Sequence, residues 1–248
     1  MGERSNMTEI TVAVLEKLAT FDTPTICNLV ELFEVRPRNV GYMDGRIQAC
    51  YPEMPPMVGF AATATFRAAG PPREGDAYSS TTVQVERFGE LPGPPVVVFQ
   101  DLDDPAAAAT FGEVMCTTYQ AFGAVGLITS GAGRDLDQVR ALGFPVFTNG
   151  TICAHGYCHI LDVHVPVHVG GMVIYPGDLL HGDLNGVTTI PREVAAELAA
   201  IGDEYVAAEG IILEALHSGA PSVARLKEAQ GETVARIAAL RTRVSHAR

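Results

Sequence analysis

Residues 126–135 read Gly-Leu-Ile-Thr-Ser-Gly-Ala-Gly-Arg-Asp, an apolar run that breaks into a glycine-rich turn. A short apolar run of this kind is typical of a strand buried on both faces, as in a parallel sheet. The turns at the carboxyl ends of such strands are where open α/β sheets bind ligands. The stretch therefore predicts an α/β fold with Arg134 and Asp135 at a ligand-binding edge.

The sequence on either side of residues 126–135 also contains segments typical of strands and helices. Apolar or alternating runs predict strands at residues 59–66, 96–100, 125–129 and 145–148. Helical spacing predicts helices at residues 106–122 and 135–142 between the later strands. The alternation of strand and helix indicates a central sheet with right-handed crossovers.

Helices are predicted at both ends of the chain. Residues 8–33 carry two amphipathic patterns, with Thr23 as the expected N-cap and Pro24 as the first helical residue of the second. Residues 35–58 are predicted to be irregular, and 160–190 to form short strands. A helix is expected from Pro191 and another over 222–246. We predict N-terminal helices over 1–35 that pack on the core, a catalytic domain over 36–191 and a C-terminal helical extension over 192–248.

Composition narrows the classes of function. Among 248 residues 47% are hydrophobic and 19% charged, and the net charge is −12. Such an acidic chain is a poor partner for nucleic acid, and no apolar run is long enough to span a membrane. The arginines near the end of the chain (Arg236, Arg241, Arg243 and Arg248) are interpreted as a solvated helix face. Five cysteines do not suggest a disulfide framework, and we expect a cytoplasmic protein with Cys27, Cys50 and Cys116 buried.

A second segment, Phe-Gly-Glu-Val-Met-Cys at 111–116, begins a helical pattern, and twenty residues separate its Glu113 from Arg134. A helix start offers free N–H groups and partial positive charge to an anion. Arginine can hold a carboxylate with two parallel hydrogen bonds, and aspartate oxygen suits a divalent cation. Glu113 and Asp135 also have simpler roles, as a favourable charge in a first helical turn and as an N-cap. Together these groups predict a site for a small oxo acid, around one pocket the size of pyruvate.

The order of these motifs resembles the RraA-like family. The resemblance rests on Gly112-Glu113, on 131–135 and 143–147, and on 165–167, 170–178 and 182–187, and it covers roughly residues 20–191. The family includes class II 4-hydroxy-4-methyl-2-oxoglutarate aldolases and the regulator of ribonuclease E activity. It implies a swivelling β/β/α domain, here with extra N-terminal and C-terminal helices, that assembles as a homotrimer or homohexamer.

The resemblance also implies roles for residues of the site. Arg134 would bind the carboxylate and keto oxygen of a 2-oxo acid and steady its enolate, while Asp135 would hold Mg²⁺ or Mn²⁺. Gly112 and the amides of Val114 and Met115 would bind the substrate carboxylate. Glu113 departs from the aldolase pattern, which has aspartate there, and the longer side chain displaces the carboxylate by about 1.5 Å, enough to alter the rate. With Arg134 it is predicted to be catalytic, either through a water on the cation or as an acid or base. The acids considered for contribution by a neighbouring subunit are Glu193, Asp203, Glu204 and Glu209.

Several residues keep alternative interpretations. Asp178, Asp183 and Asn185 are expected to support turns. The cluster Cys153, His155, Cys158 and His159, with His164, His168 and His181, invites zinc, but its spacing is not that of paired zinc motifs. His164 and His168 are predicted to share a strand face. Entry of His155 or His181 into the pocket is favoured over zinc.

Two classes of function follow from the resemblance. The first is a divalent-metal-dependent lyase that cleaves a 4-hydroxy-2-oxo acid to pyruvate and decarboxylates oxaloacetate as a side activity. The second is a non-enzymatic regulator that binds a ribonuclease. A weaker third reading is a lyase or hydrolase on another oxo acid, with Glu113 as the base. No glycine-serine elbow or dinucleotide fingerprint supports other chemistry.

Overall fold

The structure is a computed structural model that describes residues 10–74 and 77–245. Its helices are α1 (Val12–Leu18), α2 (Thr23–Leu32), α3 (Ala77–Glu86), α4 (Glu113–Ala121), α5 (Leu136–Ala141), α6 (Ala195–His217) and α7 (Val223–Ser245), with short 3-10 turns at Arg87–Glu90 and Arg192–Val194. Its strands are β1 (Gln48–Ala49), β2 (Met57–Arg67), β3 (Pro95–Asp101), β4 (Ala109–Phe111), β5 (Gly126–Thr129), β6 (Ala132–Gly133), β7 (Val146–Thr148), β8 (His159–Val163), β9 (Val167–Val169), β10 (Met172–Ile174), β11 (Leu179–Asp183) and β12 (Gly186–Ile190).

Eight strands form the main sheet, in the order β1-β7-β5-β3-β2-β11-β12, with β8 also paired to β2. Strands β2, β3, β5 and β7 are parallel, which confirms the predicted α/β class. The first half of β2 pairs with β11 and its second half with β8, so one long strand joins the parallel and antiparallel parts. The carboxyl ends of β3, β5 and β7 consequently meet at one edge of the sheet.

Packing explains why the parallel strands are apolar throughout. Val96–Phe99 and Leu127–Ile128 are fully buried, since α4 and α5 cover one face while the β9-β10 hairpin packs on the other. A second apolar cluster joins α1, α2, α6 and α7 to β2 and β12. The terminal helices therefore share a core with the sheet, and the three-part division of the chain stays a prediction.

Strand β4 corrects the helix predicted over 106–122. The helix begins only at Glu113, and Ala109–Phe111 pair in parallel with β6 instead. Thr110 and Phe111 favour the extended conformation, and the Thr110 hydroxyl bonds to the Thr129 hydroxyl at 2.9 Å inside the fold. These tertiary contacts thus override the helix preference of the alanines at 106–109.

The start of α2 is also displaced from the prediction. Asp22, not Thr23, is the N-cap, because its carboxylate accepts the Thr25 N–H at 2.8 Å. Thr23 lies in the first turn and bonds to His181, while its N–H donates to the Asp183 carboxylate at 3.0 Å. This contact ties α2 to the end of β11.

The two histidines expected on one strand face do not share a strand. His164 lies between β8 and β9 with a left-handed φ of 54°, which interrupts the extended backbone before Pro166. Its side chain is buried against Glu90, whereas His168 lies in β9. Asp178 and Asp183 form the expected turn contacts, since they accept the N–H groups of Tyr175 and Asn185.

The buried-cysteine prediction holds in full for one thiol. Cys116 is buried, whereas Cys27 and Cys50 are half-buried. Cys50 packs at the margin of an apolar cluster, and Cys27 lines a surface cavity. Burial raises the pKa of the Cys50 thiol to about 11. Thr8, His246 and Arg248, on which sequence predictions also fell, lie outside the described residues. Of the helices described, none combines the length and apolarity needed to cross a bilayer.

Candidate functional site

The structure brings Arg134 and Asp135 next to the start of α4. Gly112, Val114, Met115, Arg134 and Asp135 all line one cavity of about 40 Å³, open on one side. A space of this size holds roughly three water molecules. A cavity with room for a few waters fits a small oxo acid whose carboxyl end lies inside and whose other end reaches the open side.

Two hydrogen bonds join the two chain segments that form the cavity, and an ion pair lies within the second segment. The Arg134 N–H donates to the Phe111 carbonyl oxygen at 3.2 Å. The Glu113 N–H donates to Asp135 Oδ2 at 3.1 Å, and Arg134 Nε lies 3.7 Å from the same oxygen. The guanidinium and the carboxylate are each about one third exposed, so both are anchored yet reachable from solvent.

Asp135 acts as a cap for a helix other than its own. It occupies the N-cap position of α5 but makes no side-chain capping bond there, and its backbone is left-handed, with φ 54° and ψ 40°. Its carboxylate turns away and accepts from the first residue of α4 instead. A strained backbone at a non-glycine residue persists only where the surroundings enforce it, and such residues cluster at functional sites.

Gly112 is required by close approach rather than by its backbone conformation. Its φ of −156° suits any residue. A Cβ at this position would, however, lie 2.5 Å from Asp135 Oδ2 and 3.2 Å from Arg134 Nε. Only hydrogen in place of a side chain lets the arginine and aspartate pack over the start of α4.

The start of α4 carries the backbone amides for which the sequence predicts anion binding. The first intrahelical bond to the cap runs from the Cys116 N–H to the Gly112 carbonyl at 3.0 Å, and the Glu113 N–H is used by Asp135. In the described part of the chain no group accepts from the amides of Val114 and Met115. Two free N–H groups at a helix start beside a guanidinium form a cradle for a carboxylate.

Among the residues that the structure describes, Asp135 is the one carboxylate that lines the cavity. Its hydrogen bond and ion pair with described residues both use Oδ2, which leaves Oδ1 for a ligand. Within residues 10–74 and 77–245 no three His, Cys, Asp or Glu side chains converge as a ready-made metal cage. Mg²⁺ binds proteins through one or two carboxylates and keeps several waters, so a single partly exposed aspartate fits that ion.

Glu113 differs from the other predicted residues in its placement. Its N–H contacts Asp135, but its side chain is exposed and does not line the cavity. Its predicted catalytic role stays a prediction.

Another part of the cavity wall comes from a segment that the sequence analysis considered for zinc and, through His155, for entry into the pocket. His155 and Cys158 line the cavity together with Ala109 and Phe111. The Cys158 thiol donates to the His155 carbonyl, and burial raises its pKa while the charge of Arg134 opposes that rise. Of the two histidines considered, His155 reaches the pocket, whereas His181 is buried between Thr23 and Leu18. The sequence marked Cys158 only as a member of the possible zinc cluster and not as part of this cavity.

The acids considered for a neighbouring subunit lie away from this cavity within one chain. Asp203 pairs with Lys17 at 2.7 Å and Glu204 with Arg243 at 2.7 Å. Glu209 accepts the Tyr205 hydroxyl at 3.0 Å. Three of the four are thus engaged by residues of α1, α6 and α7, and Glu193 lies in the turn before α6.

Asp101 lies at the end of β3, behind the turn that carries Arg134. Its Oδ1 accepts the Asp103 N–H at 3.0 Å, but its buried Oδ2 has no hydrogen-bond partner in the described residues. That oxygen lies 2.4 Å from where a Cβ on Gly131 would stand. Burial raises the pKa of the Asp101 carboxyl to about 6, against the opposing effect of the bond from Asp103.

Replacing Asp101 with asparagine is expected to stabilise the fold at pH 7.5 by about 1 kcal/mol, after allowance for its partial exposure. The folded carboxyl ionises near pH 6 and the unfolded one near 4, so its contribution is fully present below about pH 4 and lost as the pH rises through 6. Urea titrations at pH 7.5 and pH 4 measure this. The gain should disappear at pH 4, and an equal gain at both pH values would contradict the assignment.

Comparison with known proteins identifies the family of this chain. The sequence model of the RraA-like family, described as Aldolase/RraA, matches residues 23–189, so the chain belongs to that family. A protein of Halalkalibacterium halodurans named "Putative 4-hydroxy-4-methyl-2-oxoglutarate aldolase" is 34% identical over 124 residues, which cover 50% of this chain and 59% of that protein. Protein DlpA of Legionella pneumophila is 27% identical over 131 residues, 51% of this chain and 21% of its own length. The matches thus span less than two thirds of either relative.

Solved structures share the fold. An uncharacterized protein from Pseudomonas syringae pv. tomato superposes with a TM-score of 0.69 at 23% identity, over 93% of this chain and 98% of its own. RraAS2 of Streptomyces coelicolor, described as an unusual member of the RNase ES inhibitor RraA family, gives 0.63 at 24% identity, over 81% and 96%. The first match covers most of this chain, and the predicted swivelling-domain fold is confirmed.

Proposed function

We propose that this protein is a divalent-cation-dependent lyase that cleaves a 4-hydroxy-2-oxo acid and releases pyruvate. One observation carries the proposal: Arg134, Asp135 and the free amides of Val114 and Met115 line a single small cavity. A guanidinium, two N–H donors and a carboxylate are complementary to a 2-oxo acid and a hard cation. The named aldolase relative supports the same class of reaction.

Each group has a distinct part in the proposed reaction. The amides of Val114 and Met115 hold the substrate carboxylate, and Arg134 donates to the 2-keto oxygen. A base removes the 4-hydroxyl proton, the C3–C4 bond breaks, and its electron pair moves onto the pyruvyl unit as an enolate. Arg134 stabilises the negative charge that forms on the oxygen, and a proton then adds to C3.

Asp135 would hold the cation, Mg²⁺ or Mn²⁺, through its open carboxylate oxygen. When bound, the ion supplies Lewis-acid polarisation of the substrate oxygens. A covalent Schiff-base route does not suit this chain. Its two lysines are Lys17, paired with Asp203, and Lys227, on α7, and neither lines the cavity.

The experiment is a coupled assay with the purified full chain. We expect pyruvate from 4-hydroxy-4-methyl-2-oxoglutarate, and from oxaloacetate, followed by lactate dehydrogenase in the presence of Mg²⁺ or Mn²⁺. Reactions with cation but no protein correct for the spontaneous decarboxylation of oxaloacetate. EDTA should abolish release. If several oxo acids give no pyruvate while the protein binds and inhibits a ribonuclease, the chain is instead a regulator of the kind found in its family.

A further inference from the structure

A pair of buried hydroxyl groups lies directly behind the cavity. Thr110 in β4 and Thr129 at the end of β5 are both fully buried, and their oxygens lie 2.9 Å apart. Thr110 Oγ1 is also 3.1 Å from the Ala132 carbonyl oxygen, and Thr129 Oγ1 accepts the Gly131 N–H at 2.9 Å. Both threonines therefore contact the backbone of the turn that leads to Arg134.

The number of hydrogens on each group decides which one donates in each hydrogen bond. A hydroxyl has one hydrogen and a carbonyl oxygen can only accept, so Thr110 donates to Ala132. Thr129 then donates to Thr110 and accepts from Gly131. Each hydroxyl uses its hydrogen, and no polar atom of the pair is left unsatisfied. Buried networks with complete partners specify one arrangement of the backbone they contact.

This pair crosslinks the two segments that make up the site. Thr110 is two residues before Gly112, while Gly131 and Ala132 come just before Arg134. Two further contacts follow toward the cavity, from the Arg134 N–H to Phe111 and from the Glu113 N–H to Asp135. The contact between the two threonines is fully buried, and neither side chain lines the cavity.

The turn that contains Gly131 is also tightly packed. A Cβ on Gly131 would lie 2.7 Å from Thr110 Cγ2, so the threonine packs directly on the glycine backbone. Thr148, from the end of β7, bonds the Gly131 carbonyl at 2.8 Å from the other side. The turn is held by strands β4, β5 and β7 at once.

We infer that Thr110 and Thr129 are positioning residues that set the distance between Arg134 and the amides of Val114 and Met115. This inference rests on the proposed function, because the geometry they set is that of the proposed oxo-acid cradle. A displacement near 1 Å in such a site can cost about a hundredfold in rate.

The test compares Thr110→Val and Thr129→Val with Thr233→Val. Thr233 is a buried threonine that donates to the Ala208 carbonyl at 2.9 Å between α6 and α7, so its valine variant loses a hydroxyl of similar burial far from the cavity. We expect kcat for metal-dependent pyruvate release to fall about ten- to a hundredfold in the first two variants, with KM changed much less. Thr233→Val should keep the wild-type kcat at a comparable melting temperature, and Thr110→Ser should recover most of the loss.

A second readout separates this inference from the proposed function. Amide hydrogen exchange of 112–115 and 130–135 should speed up in Thr110→Val relative to Thr233→Val, whether or not the protein releases pyruvate. Wild-type kcat in Thr110→Val would overturn the inference. If the wild type proves inactive on all oxo acids tested, the proposed function fails, and exchange rates equal to those of Thr233→Val would then overturn the positioning role as well.

Discussion

Replacing Arg134 by alanine is expected to lower kcat/KM for pyruvate release by about a hundred- to a thousandfold. The guanidinium is the one cationic side chain beside Asp135 in the described cavity, and its loss leaves the enolate oxygen without its main charged donor. Removing one such donor from an enzyme site costs about this much. Initial rates with 4-hydroxy-4-methyl-2-oxoglutarate and Mg²⁺ provide the measurement.

Two further variants test whether the effect of Arg134→Ala comes from the site or from the change in charge. Arg134→Lys keeps the charge but not the planar pair of donors, so we expect it to recover only part of the activity. Arg236→Ala removes an exposed arginine that pairs with Glu232 on α7, and it should behave as wild type. Loss of activity in Arg236→Ala equal to that in Arg134→Ala would show that the effect comes from net charge and not from the site.

Replacing Gly112 by alanine is expected to lower kcat/KM about a hundredfold. The added Cβ would meet Asp135 Oδ2 at 2.5 Å and Arg134 Nε at 3.2 Å, so both side chains must move away from the start of α4. A shift near 1 Å is enough for an effect of this size. Activity and melting temperature should be measured together, because the same collision removes the cap from α4.

Gly210→Ala is the matched control for that variant. Gly210 lies within α6, and a Cβ there has nothing within 4 Å. Alanine is the better helix former by roughly 1 kcal/mol, so Gly210→Ala should be as stable as the wild type or more so, with full activity. A Gly112→Ala variant of wild-type activity would mean that Asp135 and Arg134 do not need their present positions.

The parallel core was predictable because its strands are apolar without interruption. The run before Asp101 and the run before Ser130 have no alternation, which indicates burial on both faces, and both lie within the sheet as expected. The pairing of β8 and β11 along the same edge of β2 was not predictable, since short strands punctuated by glycine and proline carry no signal of their partners.

Local propensity failed where distant contacts decide the conformation. The alanines at 106–109 favour helix, yet β4 forms because Thr110 and Phe111 find partners twenty residues away in sequence. Likewise, Asp135 follows the pattern of an N-cap, but its carboxylate caps α4 and not α5. The motif residues Gly112, Val114, Met115, Arg134 and Asp135 could be named from sequence, and His155 was one of two histidines considered for the pocket. The place of Cys158 in the wall could not be predicted, because no local pattern brings its loop to the cavity.

A crystal structure of the full chain with Mn²⁺ and pyruvate tests the central claim most directly. The account predicts an anomalous manganese peak at the Asp135 carboxylate. It also predicts the pyruvate carboxylate within hydrogen-bond distance of the Val114 and Met115 amides, with Arg134 on the keto oxygen. Manganese bound elsewhere, or Arg134 directed into solvent with pyruvate absent from the start of α4, would contradict it.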